Sequence, residues 1–177
     1  MNRTAEGVAA GIDAAEAGAR LTEVDGRWTL IMTRGLRHPA ERVWPVLTEP
    51  DDLARWSPVV PDRPLTSVGP ARSCETPEAP AVDAEVLLSD PPRELVHRWG
   101  GQLLRWTVTP AANGSRPTLE HTFDARAEAG MYAAGWHLCL AVLAEVLDGR
   151  AVQRIVGTSA LDHGWGDLRE AYDAAFA

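Results

Sequence analysis

The sequence predicts an α+β fold: a curved antiparallel sheet wrapped around a long C-terminal helix, with two short helices after the first strand. Three observations lead there. Between 82 and 123, apolar and polar residues alternate in consecutive short segments, the period-two signature of strands. Short connections rich in Gly, Pro, Asn and Asp separate those segments, so neighbours pair as antiparallel hairpins. After Asp124 the period lengthens to that of a helix, and the stretch Ala129–Leu147 is apolar around most of its circumference.

The elements follow in order. Residues 1–20 are rich in Ala, Gly and Glu and weakly periodic, which predicts an N-terminal extension, with a single domain over 21–177. The first strand starts after Gly26, with Trp28, Leu30 and Met32 alternating against Thr29, Ile31 and Thr33. His38-Pro39 breaks it and starts a helix over Ala40–Leu47 that places Val43, Trp44 and Leu47 on one face. A second short helix runs from Glu49-Pro50 to Trp56, with Asp51 and Asp52 favourable beside its N-terminus. Six prolines between 57 and 80 leave room for one or two short edge strands, best placed around Ala71–Glu75.

Three strands are expected next: Val82–Leu88, Glu94–Trp99 and Gln102–Thr109. A Gly100-Gly101 hairpin turn joins the last two. A loop over 110–117, holding Asn113-Gly114, leads to a strand over Thr118–Phe123. The long helix stops at Asp148-Gly149. Its apolar surface forms two stripes, one through Met131, Gly135, Leu138 and Val142 and one through Trp136, Leu140 and Leu143. His137, Glu145 and Asp148 form a narrow polar edge. Only the concave side of the sheet and the segment Thr158–Phe176, itself read as an amphipathic helix, are available to cover both stripes.

Composition bounds the function. The chain has 177 residues, 45% hydrophobic and 24% charged, ordinary values for one globular domain. The formal net charge is −8 and all seventeen basic residues are arginine, with no basic cluster, which counts against nucleic acid and anionic membranes as partners. The N-terminal stretch lacks the basic region and apolar run of a signal peptide, and no apolar run of membrane-spanning length stands out, so a cytoplasmic location without membrane insertion is expected. Cys74 and Cys139 lie in no metal-like spacing and read as free thiols. No metal or cofactor motif is present.

Three stretches carry a resemblance to a known family. They are R-H-P-A-E-R-V-W-P-V-L-T-E-P-D-D-L-A-R-W at 37–56, L-E-H-T-F-D at 119–124 and A-A-G-W-H-L-C-L-A-V-L at 133–143. Together they resemble the START-like, helix-grip (SRPBCC) superfamily, and within it the family related to the C-terminal domain of the activator of the heat-shock-protein-90 ATPase. The resemblance spans about Trp28 to Gly149. It implies the helix-grip fold and a cavity between sheet and long helix, in a superfamily whose members bind apolar molecules and include cyclases and dehydratases.

Three functional readings follow. The first is a binding module for a small apolar or aromatic molecule, its cavity lined by Met32, Trp56, Trp99, Leu104, Trp106, His121, Phe123, Leu138 and Val142. The second is a cyclase/dehydratase-type or hydrolytic enzyme. His97 and His121, each on the parity of its apolar neighbours, would be its acid/base groups, beside a carboxylate such as Glu85 or Asp83. The third is a protein-interaction or chaperone-cofactor module, for which a homodimer through the outer side of the last helix is one form.

Overall fold

The computed structural model describes residues 18–177; residues 1–17 of the expected extension lie outside it. A strand precedes the first one predicted. Arg20–Val24 is strand β1, paired antiparallel with β2, Arg27–Thr33. Asp25 and Gly26 join them with φ of 53° and 77°, the two left-handed residues of a tight hairpin turn. Leu21 packs against the core and anchors the added strand.

Two helices follow, α1 over Ala40–Thr48 and α2 over Pro50–Leu53, the second shorter than predicted and continued to Trp56 as turns. Val43, Trp44, Leu47, Leu53 and Trp56 are all buried. The Trp56 indole donates to the Val46 carbonyl at 2.9 Å, which joins the two helices.

The proline-rich stretch contributes β3, Val60–Pro61, and β4, Arg72–Cys74. With β5, Val82–Asp83, they form a separate three-stranded antiparallel sheet in the order β3-β4-β5. The strand predicted over Val82–Leu88 is therefore two strands. The second is β6, Val86–Asp90, and a bulge at Leu87 shifts its parity. Leu88 consequently faces outward, 38% exposed, rather than joining Val86 in the core.

The main sheet is completed by β7, Glu94–Trp99, β8, Gln102–Ala111, and β9, Gly114–Phe123; all pairings are antiparallel in the order β1-β2-β9-β8-β7-β6. The loop predicted over 110–117 shrinks to Ala112-Asn113, and both Pro110 and Pro117 lie inside strands. The register explains Pro117. Its partner Val108 donates to the Arg93 carbonyl on the far side at 2.8 Å, and the Pro117 carbonyl accepts from Arg34 at 3.0 Å. Both peptide groups thus point away from the β8–β9 seam, and the missing proline N–H costs no ladder bond.

Helix α3, Ala129–Leu147, lies across the sheet and ends as predicted, with Gly149 left-handed at φ 75°. By length and composition the stretch Arg126–Leu147 would suffice to cross a membrane, at mean hydropathy 1.4, contrary to the expectation from the sequence. Here it is the core helix. Leu138 and Val142 meet Leu30, Met32, Leu104, Leu119 and Phe123 in one continuous apolar cluster.

After Arg150 the chain returns over the other side of α3. It makes a 3-10 turn over Gly157–His163 and then α4, Trp165–Ala175, separated by a left-handed Gly164. The single amphipathic helix expected over Thr158–Phe176 is thus broken in two, and Leu161 turns outward, 62% exposed. Tyr172 is buried and its hydroxyl pairs with His137 Nδ1 at 2.8 Å. His137 is accordingly not part of a polar edge: α4 covers it.

Candidate functional site

A cavity of about 270 Å³ lies on the flank of α3, between that helix and the returning C-terminal segment. Its floor is one stripe of α3: Met131, Tyr132, Gly135, Trp136 and Cys139. Trp99, at the end of β7, closes one side, and Pro58 and Glu75 from the proline-rich stretch close another. Ile155, Val156, Gly157, Ala160 and Trp165 form the outer wall.

The lining is aromatic and apolar with few polar groups. Trp99 and Trp136 meet edge to face at 5.9 Å between ring centroids, a favoured aromatic geometry that fixes both rings. Glu75 supplies the charged group, and its Oε1 accepts from the Gly157 amide at 3.1 Å. The Cys139 thiol donates to the Ile155 carbonyl at 3.7 Å, and burial pushes its pKa up to about 12. It is a closed contact and not a nucleophile.

Behind the floor runs a hydrogen-bond chain whose direction is fixed at its origin. The Trp136 indole can only donate, and it donates to His121 Nδ1 at 3.1 Å. His121 therefore carries its proton on Nε2 and donates it to Gln102 Oε1 at 2.6 Å. The Gln102 amide nitrogen then donates to the Tyr132 hydroxyl, which turns its own proton toward Glu128 Oε2 at 3.4 Å. Tyr132 thus reaches the cavity wall already ordered, with a lone pair left to accept a further donor.

Of the residues predicted to line a cavity, only Trp99 does so. Met32, Trp56, Leu104, Trp106, His121, Phe123, Leu138 and Val142 are buried in the main core, each at most 3% exposed. The space between the concave sheet and the inner stripe of α3 is filled by these side chains. The Trp56 and Trp106 rings, for example, meet edge to face at 5.8 Å. The open volume is on the next stripe round the helix.

The two candidate histidines are placed inward as their parity predicts, but neither lines the cavity. His97 is 2% exposed and its Nδ1 bonds the Arg98 carbonyl at 3.0 Å. Burial lowers its pKa to about 4, and that of His121 to about 3. Both ring nitrogens of His121 are engaged, so it holds Gln102 and Trp136 in place and keeps no nitrogen free for an occupant. Asp83 and Glu85 lie on the outer face beside Arg98, at 3.7 and 3.4 Å, away from either imidazole. The carboxylate that connects to His121 is Glu128, through Gln102 and Tyr132. Among the described residues no three or more His, Cys, Asp or Glu side chains converge as a metal site.

Sequence reasoning passed over Tyr132, Gln102, Glu75 and the C-terminal wall. The one available signal was the helical spacing of Met131, Gly135, Leu138 and Val142, which mixes a floor residue such as Gly135 with a core residue such as Leu138.

Comparison with known proteins agrees with this architecture. The family described as "Polyketide cyclase / dehydrase and lipid transport" matches residues 14–154. No curated protein matches the chain. Among solved structures, a conserved protein of unknown function from Enterococcus faecalis superposes with a TM-score of 0.71 at 15% identity, over 89% of each chain. CalU16 from Micromonospora echinospora superposes at 0.66 with 18% identity, over 88% of this chain and 94% of its own. A protein from Bordetella parapertussis does so at 0.62 with 26% identity, over 82% and 84%. On the extent of the family match and the sheet-and-helix architecture, this chain belongs to the polyketide cyclase/dehydrase and lipid-transport family of the START-like, helix-grip superfamily.

Proposed function

We propose that the protein binds a small, flat, mainly apolar molecule that carries a hydrogen-bond donor such as a phenolic hydroxyl. The observation that carries this reading is the cavity on α3, walled by Trp99, Tyr132, Trp136 and Trp165. Aromatic faces suit a flat ring, because offset and edge contacts add to simple burial. The polar groups at the rim are acceptors: the Glu75 carboxylate and the ordered Tyr132 oxygen. An occupant that brings a donor satisfies them, whereas a purely acceptor molecule leaves them unpaired and loses affinity. Membership of the family supports a ligand-binding role for the domain, and the acid/base reading lacks an imidazole open to the cavity.

Gly135 makes the reading testable. A Cβ at this floor position would meet no heavy atom within 4 Å. Gly135→Ala should therefore stabilise the fold by about 0.8–1 kcal/mol, the ordinary helix-interior difference between the two residues. Gly135→Leu should fill the cavity while keeping the fold. In a thermal-shift screen against hydroxylated aromatics, flavonoids, sterols and fatty acids, a ligand at a hundred times its Kd stabilises by ~2.7 kcal/mol, a shift of several degrees. The expected result is a phenolic hit that shifts the wild type and leaves Gly135→Leu unmoved. A hit that shifts both equally binds elsewhere, and silence across the library sinks the reading.

A further inference from the structure

The family match ends at residue 154, yet the cavity does not. Its outer wall is built entirely by the segment beyond that point. In the absence of Ile155, Ala160 and Trp165, the floor on α3 would be an open apolar groove. The part of the chain that the family match covers therefore supplies the floor and one side, and the C-terminal segment beyond it turns an open groove into a half-walled cleft.

The wall is held at several points. Arg154 bridges the start of the segment to the proline-rich stretch, donating from Nε to the Ser57 carbonyl at 2.8 Å and from Nη2 to the Glu75 carbonyl at 2.7 Å. The Gly157 amide bonds the Glu75 side chain, and the Ile155 carbonyl accepts from Cys139 on the floor. Beyond the wall, Tyr172 is locked to His137. A segment tied on both sides of the cavity cannot swing aside for a larger occupant without breaking several bonds together. The cleft's volume, about 270 Å³, sits just below the usual lower bound of about 300 Å³ for small-molecule sites.

We propose that this C-terminal segment, through Ala160 and Trp165, is the specificity determinant of the cavity, favouring small ring systems over larger ones by how far it walls the cleft. The proposal rests on the ligand-binding reading above. Trp165 is the outermost aromatic of the wall and is half-buried, with the Arg169 guanidinium over its ring at 5.6 Å. Removing it opens space without excavating the main core. Ala160 is buried against the cavity, so a larger side chain there subtracts volume. Its neighbour Leu161 points to solvent and provides the control.

The test is fluorescence titration of the full-length protein with two probes, 2-naphthol and the four-ring 1-hydroxypyrene. The wild type should bind 2-naphthol at least tenfold more tightly than 1-hydroxypyrene. Trp165→Ala should gain at least tenfold in affinity for 1-hydroxypyrene. Ala160→Leu should lose at least tenfold for 2-naphthol, and Leu161→Ala should match the wild type with both. If both wall variants bind the two probes as the wild type does, the segment is not the determinant, while the ligand-binding reading stands. If neither the wild type nor Trp165→Ala binds either probe, the underlying reading fails and takes this proposal with it.

Discussion

Acidification from pH 7 to pH 5 should remove most of the protein's stability. Three histidines are buried and neutral: burial lowers His97 to about 4 and His121 to about 3, and burial followed by the Arg34 charge lowers His137 to about 4. In the unfolded chain each takes up a proton below about 6.5. The native state therefore binds fewer protons than the unfolded state between these limits. The stability each histidine contributes is fully present above pH 6.5 and is lost as the pH falls toward the folded-state value. At pH 5 the loss is on the order of 2 kcal/mol per histidine, about one and a half units at 1.36 kcal/mol each. Three such losses are comparable with the 5–15 kcal/mol stability of an ordinary domain. Urea unfolding at pH 7, 6 and 5 should show the free energy falling with a slope that approaches three protons. A flat profile over this range would mean that the imidazoles are solvated or charged in the folded state.

The second large effect is expected at Gly114, which starts β9 in a tight place. Its φ is 146°, and a Cβ there would lie 2.1 Å from the Leu36 carbonyl oxygen and 2.8 Å from the His38 nitrogen. Those atoms are backbone, and they are held: Leu36 and Ser115 exchange two hydrogen bonds at 2.9 and 3.0 Å, and Ser115 Oγ donates to the His38 carbonyl at 2.7 Å. Gly114→Ala must therefore part the β8–β9 turn from the segment that leads into α1. Unfavourable φ alone costs about 1–3 kcal/mol, and the broken bridge adds about 1 kcal/mol for each of three bonds. A loss of roughly 4 kcal/mol or more is expected in denaturant melts. A loss below 1 kcal/mol would show that the turn has room to move.

Much of the fold was legible in the sequence because local chemistry and tertiary role agree there. Glu94–Trp99, the Gly100-Gly101 turn and Ala129–Leu147 were all readable, since alternation, turn residues and a glycine stop each point to one answer. Strand β1 was missed although Asp25-Gly26 is a strong hairpin signal, because the sequence before it has too few apolar residues to look like a strand. Pro110 and Pro117 were read as loop because a proline's harm depends on which way its nitrogen faces, and only the register decides that. The Leu87 bulge reversed a parity for the same reason. The cavity was the least legible feature. Composition shows that Trp56, Trp106, Leu138 and Val142 are apolar, but filled and unfilled space differ only in how the side chains meet. The C-terminal segment was expected to cover the second stripe of α3, and it does so incompletely at Gly135, where no side chain rises to meet it.

The most direct measurement is a nitrogen–proton correlation spectrum of the labelled protein titrated with 2-naphthol. The largest shifts are expected on the amides of Tyr132, Gly135, Cys139, Gly157 and the Trp99 and Trp136 indoles, with Met32, Leu104 and Val142 nearly still. Shifts centred on Met32, Leu104 and Val142 would return the binding site to the inner stripe of α3 and contradict the cavity described above.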